Sequence, residues 1–338
     1  MTKECRRNLG DAKKAKTSFT FRLLFSALFL LSSPFFLLVS GCGPQYTYPS
    51  QSVPKSIEDL CQKEFKISAQ ARVVGKTVGA LVYVDELIDK KGQIPKEVHE
   101  VMGQVVQVVT RVALSTDLPI DFCTTVIRDR VQANELVITR ALDDTKRANA
   151  DAIGIEESMN RTLFGQSKFQ PDKDGQSVFI LKEVKMEDFL SEQIVQRIRF
   201  NFAKESKDEA GQAFVLVDGV FQEEEGRRNF RFSVIALKAE NPRDLILNIF
   251  KTTNTVLEGY KYTDFDVVEI QDYLNRQKLV VEKQTILDYQ QKKITDQALL
   301  DKFLTESQSI QEAFKLFGFN LPQESGTSEA PVAPKPAA

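Results

Sequence analysis

Imidazole chemistry has a single agent in this chain of 338 residues, His99. A Ser/His/Asp or Cys/His arrangement would need it in a cleft beside a nucleophile. Instead it falls on the flank of an apolar-periodic stretch next to Glu100, where a side chain is ordinarily solvated. Cys61, Cys123 and His99 are scattered along the sequence, which argues against a zinc site of ordinary ligand spacing. Gly75-Lys76-Thr77 matches the end of a phosphate-binding loop, but Gln70 stands where that loop needs its first glycine, so no nucleotide is expected. Asp172-Lys173-Asp174-Gly175 has the alternating carboxylates of a calcium loop. Gln170 and Leu181 occupy its first and closing ligand positions, and a plain turn is the expectation. Glu223-Glu224-Glu225 sits at the tip of a predicted hairpin, where charge keeps an edge from pairing. Asp143, Asp144, Lys146 and Arg147 directly follow a predicted strand and form the cluster best placed for binding; their mixed charge suits a helix start with surface ion pairs equally well. No cofactor or metal is expected.

The second of the four cysteines, Cys42, carries a different chemistry. Val39-Ser40-Gly41-Cys42 closes an apolar run over residues 21–39. Lys3, Arg6, Arg7, Lys13, Lys14, Lys16 and Arg22 precede or open that run against Glu4 and Asp11. This asymmetry holds an N-terminus in the cytoplasm and sends the body out. The apolar run is near the roughly 18-residue lower limit of a spanning helix, so an uncleaved signal anchor is the alternative. The four residues resemble the processing site of bacterial lipoproteins. That resemblance implies a signal peptide over residues 1–41, a diacylglycerol on the Cys42 thiol and further acylation of the new N-terminus. Two or more acyl chains suffice for stable attachment. Gly43, in place of aspartate, implies sorting to the outer membrane with the body facing the periplasm.

Residues 1–41 hold seven of the 45 basic and two of the 47 acidic residues, so the exported body keeps 38 and 45, a net charge of −7. An acidic body argues against nucleic acid or a bare anionic lipid surface as the main partner. In an oxidising compartment Cys61 and Cys123 could form one disulfide, closing a long loop worth about 4 kcal/mol. Two small buried thiols are the alternative.

Composition and periodicity divide the body. Residues 42–56 are proline-rich and polar and read as a lipidated tether. An α+β fold is expected beyond it, with two subdomains over 57–168 and 175–290, each an antiparallel or mixed sheet covered by helices. A helical hairpin over 291–320 and a disordered tail over 324–338 follow. Residues 65–84 alternate around Gly75 and Gly79 and predict a hairpin or a bulged strand. Val98, Val101, Met102, Val105, Val109 and Val112 behind Pro95 predict an amphipathic helix. The apolar segment 122–131 is taken as a second helix and 134–140 as a short strand. In the second half, 177–181 reads as a buried strand and 186–202 as an amphipathic helix. Residues 213–221 and 229–237 read as a hairpin, with further strand at 245–250 and 255–260. Leu299, Leu300, Phe303 and Leu304, then Ile310, Ala313, Phe314 and Phe317, supply the two arms of the helical hairpin.

Within residues 177–258, the order strand, amphipathic helix, Phe214-Val215-Leu216-Val217-Asp218-Gly219-Val220 and an alternating return strand ending in Ala236-Leu237 resembles the α/β unit of one group of envelope lipoproteins. These are the lipoproteins related to the penicillin-binding-protein activator LpoB and to the curli secretion lipoprotein. The first half carries no such resemblance. The sequence points to a lipid-anchored, non-enzymatic binding or scaffold module for a periplasmic or outer-membrane protein partner. Two other classes stay open. A self-assembling secretion or pore component would use residues 65–84 as a membrane hairpin. A glycan-cleaving enzyme working with carboxylates alone would need two of them about 5 to 10 Å apart in a cleft.

Overall fold

The apolar run that ends at Val84 owes its shape to Gly75, whose φ of 54° lets the chain reverse between β1 (Ala69–Val74) and β2 (Thr77–Val84), an antiparallel pair. This is the expected hairpin in a computed structural model that describes residues 46–169, 178–205, 215–236 and 241–306. Before it, α1 (Val53–Leu60) opens with Pro54 in its first turn, where the missing N–H costs nothing, and buries Val53 and Ile57. One wider turn, Cys61–Phe65, extends it to Lys66 at φ 62°. After β2, Pro95 starts α2 (Lys96–Leu114), whose Val98, Val105, Val108, Val109 and Val112 face the sheet. The chain returns through β3 (Phe122–Asp129), parallel to β2, and turns back into β4 (Asn134–Ala141). The short helices α3 (Leu142–Asn149) and α4 (Ile155–Asn160) lead to β5 (Leu163–Lys168), antiparallel to β4. The sheet order is β1-β2-β3-β4-β5.

The same course is then run again. A helix α5 (Met186–Glu205) precedes the hairpin of β6 (Val215–Glu224) and β7 (Arg227–Ala236), which turns on Glu225 and Gly226, both at positive φ. Next, α6 (Pro242–Gly259) crosses to β8 (Val267–Asp272), parallel to β7, and β8 pairs with β9 (Gln277–Glu282). Two short helices, α7 (Lys283–Gln290) and α8 (Asp296–Phe303), lead to β10 (Leu304–Glu306), antiparallel to β9. The order β10-β9-β8-β7-β6 repeats the first sheet element for element.

Individual bonds repeat as well. Asp121 N donates to Lys76 O at 2.8 Å and Asp266 N to Arg228 O at 2.7 Å. The carbonyls of those aspartates accept from Leu142 N and Lys283 N, each at 2.8 Å. Asp129 and Asp272, both fully buried, end β3 and β8 and cap the turns that follow. The chain is therefore α+β with two mixed sheets, each repeat spanning one of them.

Several expectations are corrected. Residues 122–129 are a strand. All eight are buried, so the alternation that distinguishes a strand from a helix is erased, and only Thr124, Thr125, Val126 and Ile127 betray the β preference. Residues 242–259 are one helix rather than strands: Asn241 Oδ1 accepts from Arg243 N at 3.1 Å, Pro242 fills the first turn, and Leu245, Ile246, Ile249, Phe250, Val256 and Leu257 are buried at helical spacing. Residues 178–181 alternate, with Phe179 and Leu181 buried, yet join no ladder; they lie across the first sheet on Leu81 and Val126. The tether is shorter than 42–56, because Tyr48 N donates to Ser115 O at 3.1 Å and Val53 is fully buried. The first arm of the helical hairpin is α8, but the chain passes from it into a strand. Its second arm, residues 310–317, the tail 324–338, Cys42 and the 172–175 turn lie outside the described residues.

Among the described residues, the first repeat opens with α1 at Val53, and the second sheet is described as far as β10 at Glu306. Both belong to one compact unit from Tyr48 onward. The first core lies between its sheet and α1 and α2. The second gathers α5, α6 and the inner face of β6 to β9, and reaches back to Phe122 and Ala141 of the first sheet. The Phe122 and Phe189 rings meet at 5.1 Å. Gly219 is required here: a Cβ would come within 2.6 Å of Val195 Cγ2 and 2.7 Å of the Phe232 ring.

Candidate functional site

Where the repeats meet, a buried charge cluster fixes their contact. Asp144, in the first turn of α3, accepts from Arg161 Nη1 at 2.9 Å and from the Tyr260 hydroxyl. Arg161 also donates through Nε to Glu157 at 2.6 Å, and Arg197 Nη2 reaches the same Glu157 oxygen at 2.9 Å. The Arg161 guanidinium stacks over the Tyr260 ring, 4.7 Å from its centroid. Gly259 leaves it room, since a Cβ there would meet Arg161 Nη2 at 2.9 Å. Burial pushes the Tyr260 phenol well above its ordinary range, and the Asp144 charge beside it pushes the same way. Burial also works to raise the Glu157 carboxyl, but the two arginines win and hold it below the usual carboxylate range.

Two of the four residues singled out after β4 thus belong to this cluster. Asp144 is 4% exposed, and Arg147 lies 3.8 Å from Asp144 and donates to Gly259 O at 3.5 Å. Asp143 and Lys146 are exposed on the same short helix. The structure does not bring the four together as a binding cluster, because Asp144 is buried against Arg161 and Tyr260 while Asp143 and Lys146 are exposed.

Beside the charge cluster, α4 and β5 of the first repeat and α5 and α6 of the second enclose a groove of about 910 Å³, near the upper end of the size range of ligand pockets. Met159, Phe164 and Phe200 stand 54%, 43% and 51% exposed along it. Between them lie the amides of Asn160, Gln196, Asn201 and Asn248, the hydroxyls of Thr252 and Thr255, and two cations. Gln196 fixes one wall, accepting from Phe164 N at 2.9 Å and donating to Thr162 O at 2.7 Å. Thr252 and Thr255 donate to carbonyls one turn back, and Thr252 Oγ1 also accepts from Asn201 Nδ2 at 3.4 Å. Both cations are already paired, Arg197 with Glu157 and Lys251 with Asp296 at 2.5 Å. No carboxylate is among the described residues that line the groove. Such a surface can grip an extended, largely uncharged segment through aromatic contact and amide hydrogen bonds.

Glu192 lines a smaller adjoining pocket with Phe164, Gln196 and Arg199. Desolvation pushes its carboxyl up, with Arg199 opposing and Asp218 and Asp188 adding to the rise. It is the only carboxylate among the described residues of that lining.

His99 is exposed on α2 with Nδ1 3.2 Å from Pro95 O, and Lys76 pairs with Asp121 at 3.0 Å. Glu223 and Glu224 end an edge strand before the Glu225 turn. Among the described residues no group of three His, Cys, Asp or Glu side chains could hold a metal ion. Cys61 and Cys123 are free thiols in the first core rather than a disulfide. One lies on the turn that prolongs α1 and the other in the middle strand of the sheet. Burial pushes Cys61 up to about 11, with Glu64 adding to the rise, and Cys123 up to about 12.

The groove residues were missed in the sequence. The signal available was Phe200 beside Phe202 on α5: two aromatic positions 200° apart on a helix cannot both face one core. No protein-family model matches the chain, and a search of curated proteins finds no match.

Proposed function

We propose that the protein is a lipid-anchored envelope module that binds an extended segment of a protein partner in the groove between its two repeats. The groove carries the proposal: three exposed apolar side chains and four amides converge on it, held by a buried charge cluster that costs too much to disturb for the walls to wander. The lipobox at Cys42 supports an anchored body, and the resemblance of residues 177–258 to envelope lipoproteins supports a partner in the same compartment. Glycan cleavage by carboxylates alone finds less support, since the groove's described lining offers none and the adjoining pocket offers Glu192 by itself. The pore reading finds less support too. Strand β2, from 65–84, is buried along nearly its whole length between β1 and β3, leaving no lipid-facing side. The test is crosslinking with mass spectrometry in native membranes beside a Cys42→Ala control. The proposal expects the control to leave the membrane fraction and the intact protein to crosslink reproducibly to one envelope protein. Crosslinks only between copies of the chain would overturn it.

A further inference from the structure

Side chains guard the sheet edges at particular rungs. On β1, Glu58 Oε1 accepts from Ala71 N at 2.9 Å, and on β6, Arg199 Nη2 donates to Val217 O at 2.6 Å. Each occupies a backbone group that a further strand would use. On β5 the Gln196 amide does the same at one end, donating to Thr162 O at 2.7 Å and accepting from Phe164 N at 2.9 Å. Residues 162 and 164 thus turn their backbone groups away from β4. Phe169, of opposite parity, donates from its N–H to Ala133 O on the β4 side at 2.9 Å. The same alternation points Phe164 O, both backbone groups of Gln166 and Lys168 N outward. Residues 164–168 are all exposed, and among the described residues no side chain caps this stretch.

Pockets flank this edge on both faces. Successive β5 residues alternate between the faces. Phe164 lines the groove, while Leu163 and Gly165, beside Thr139 and Val137 of β4, line the adjoining pocket of about 410 Å³. Phe164 and Gln196 belong to both linings. An open strand edge with a pocket on each side suits an extended peptide, because main-chain bonds hold it and alternate side chains enter the pockets. We propose that the partner segment adds to β5 as a sixth strand of the first sheet, a mode of binding that rests on the groove being the partner site. Its larger apolar side chains turn into the groove and its smaller ones into the adjoining pocket. A single extended chain is the occupant, since α5 stands against the edge at Gln196 and bars a second sheet from coming alongside.

Gln166→Pro deletes an outward N–H and spares the bonds to β4, a change that an edge strand tolerates; Gln166→Ala keeps the N–H. With a photo-crosslinking amino acid at position 200 of the full chain in native membranes, the partner adduct should fall about tenfold with Gln166→Pro and change less than about twofold with Gln166→Ala. Slow alkylation of the buried Cys61 and Cys123 shows that the fold is kept. Crosslinkers at 164, 166 and 168 of the otherwise native chain should map to partner residues about two apart, in step along one segment; where Gln166→Pro exposes the thiols, this spacing alone decides. No adduct from position 200 in the native background, or adducts on a second copy of the chain, would overturn the groove reading and strand addition together. A native adduct indifferent to Gln166→Pro, or adducts from 164, 166 and 168 that fall out of step, would overturn strand addition and leave the groove as the site.

Discussion

Replacing Asp144 by alanine should destabilise the protein by about 3 kcal/mol, because it removes one partner of a buried ion pair. Asp144 is 5% exposed at its side chain and Arg161 7%, so the guanidinium left behind is barely hydrated. Breaking such a pair costs about 3 to 5 kcal/mol, and the lower end applies because Glu157 still holds Arg161 Nε at 2.6 Å. The Tyr260 hydroxyl loses its acceptor as well, so Tyr260→Phe in the Asp144→Ala background should cost less than in the native chain, where it removes a charge-assisted bond worth about 1.5 kcal/mol or more. Urea unfolding of the chain begun at Gly43 reads these costs as shifts of the midpoint at constant slope. An Asp144→Ala cost below about 1 kcal/mol would refute the reasoning, since it would mean water reaches the pair.

The Gly219→Ala change forces a methyl against Val195 and Phe232 and should cost about 1 to 3 kcal/mol by urea unfolding. The two buried thiols should resist alkylation in the native state at pH 8 and react together on unfolding. Their folded-state values lie above the ordinary 9.0, so the stability they contribute is full below pH 9 and declines as pH rises toward about 11 and 12; a urea midpoint flat from pH 8 to 11 would contradict this. Glu157, held low by its arginines, contributes stability above the ordinary carboxylate value that is lost as pH falls through its folded-state value. An Arg197→Met chain should therefore show a weaker acid dependence of the midpoint than the native chain.

The elements most readable in the sequence were those with one wet and one dry face. The helix behind Pro95, the helix from Met186 and the hairpin around Gly226 alternate or repeat cleanly, and they stand where their periods put them. Strand β3 and helix α6 were misread for opposite reasons. The first is buried on both faces and has no period left. The second mixes Thr252, Thr253, Asn254 and Thr255 into its middle, lowering its helical preference while tertiary packing keeps it helical. The repeat itself was hidden because what it preserves is backbone bonding. Lys76 and Arg228 differ as side chains, yet their carbonyls accept the same backbone bond from Asp121 and Asp266. Asp144 and Arg147 were noticed from their charge, but their role depends on Arg161 and Tyr260, distant in sequence. The groove assembles from four elements of two repeats, which no local pattern announces.

The central claim is that the groove between the repeats holds a partner segment. A photo-crosslinking amino acid placed at Phe164 or Phe200, both exposed in the groove, and at Val131, 80% exposed and outside its described lining, tests it in native membranes. The account predicts one discrete adduct of the same mass from both groove positions and none from position 131. Adducts of equal yield from all three, or none from the groove, would contradict it.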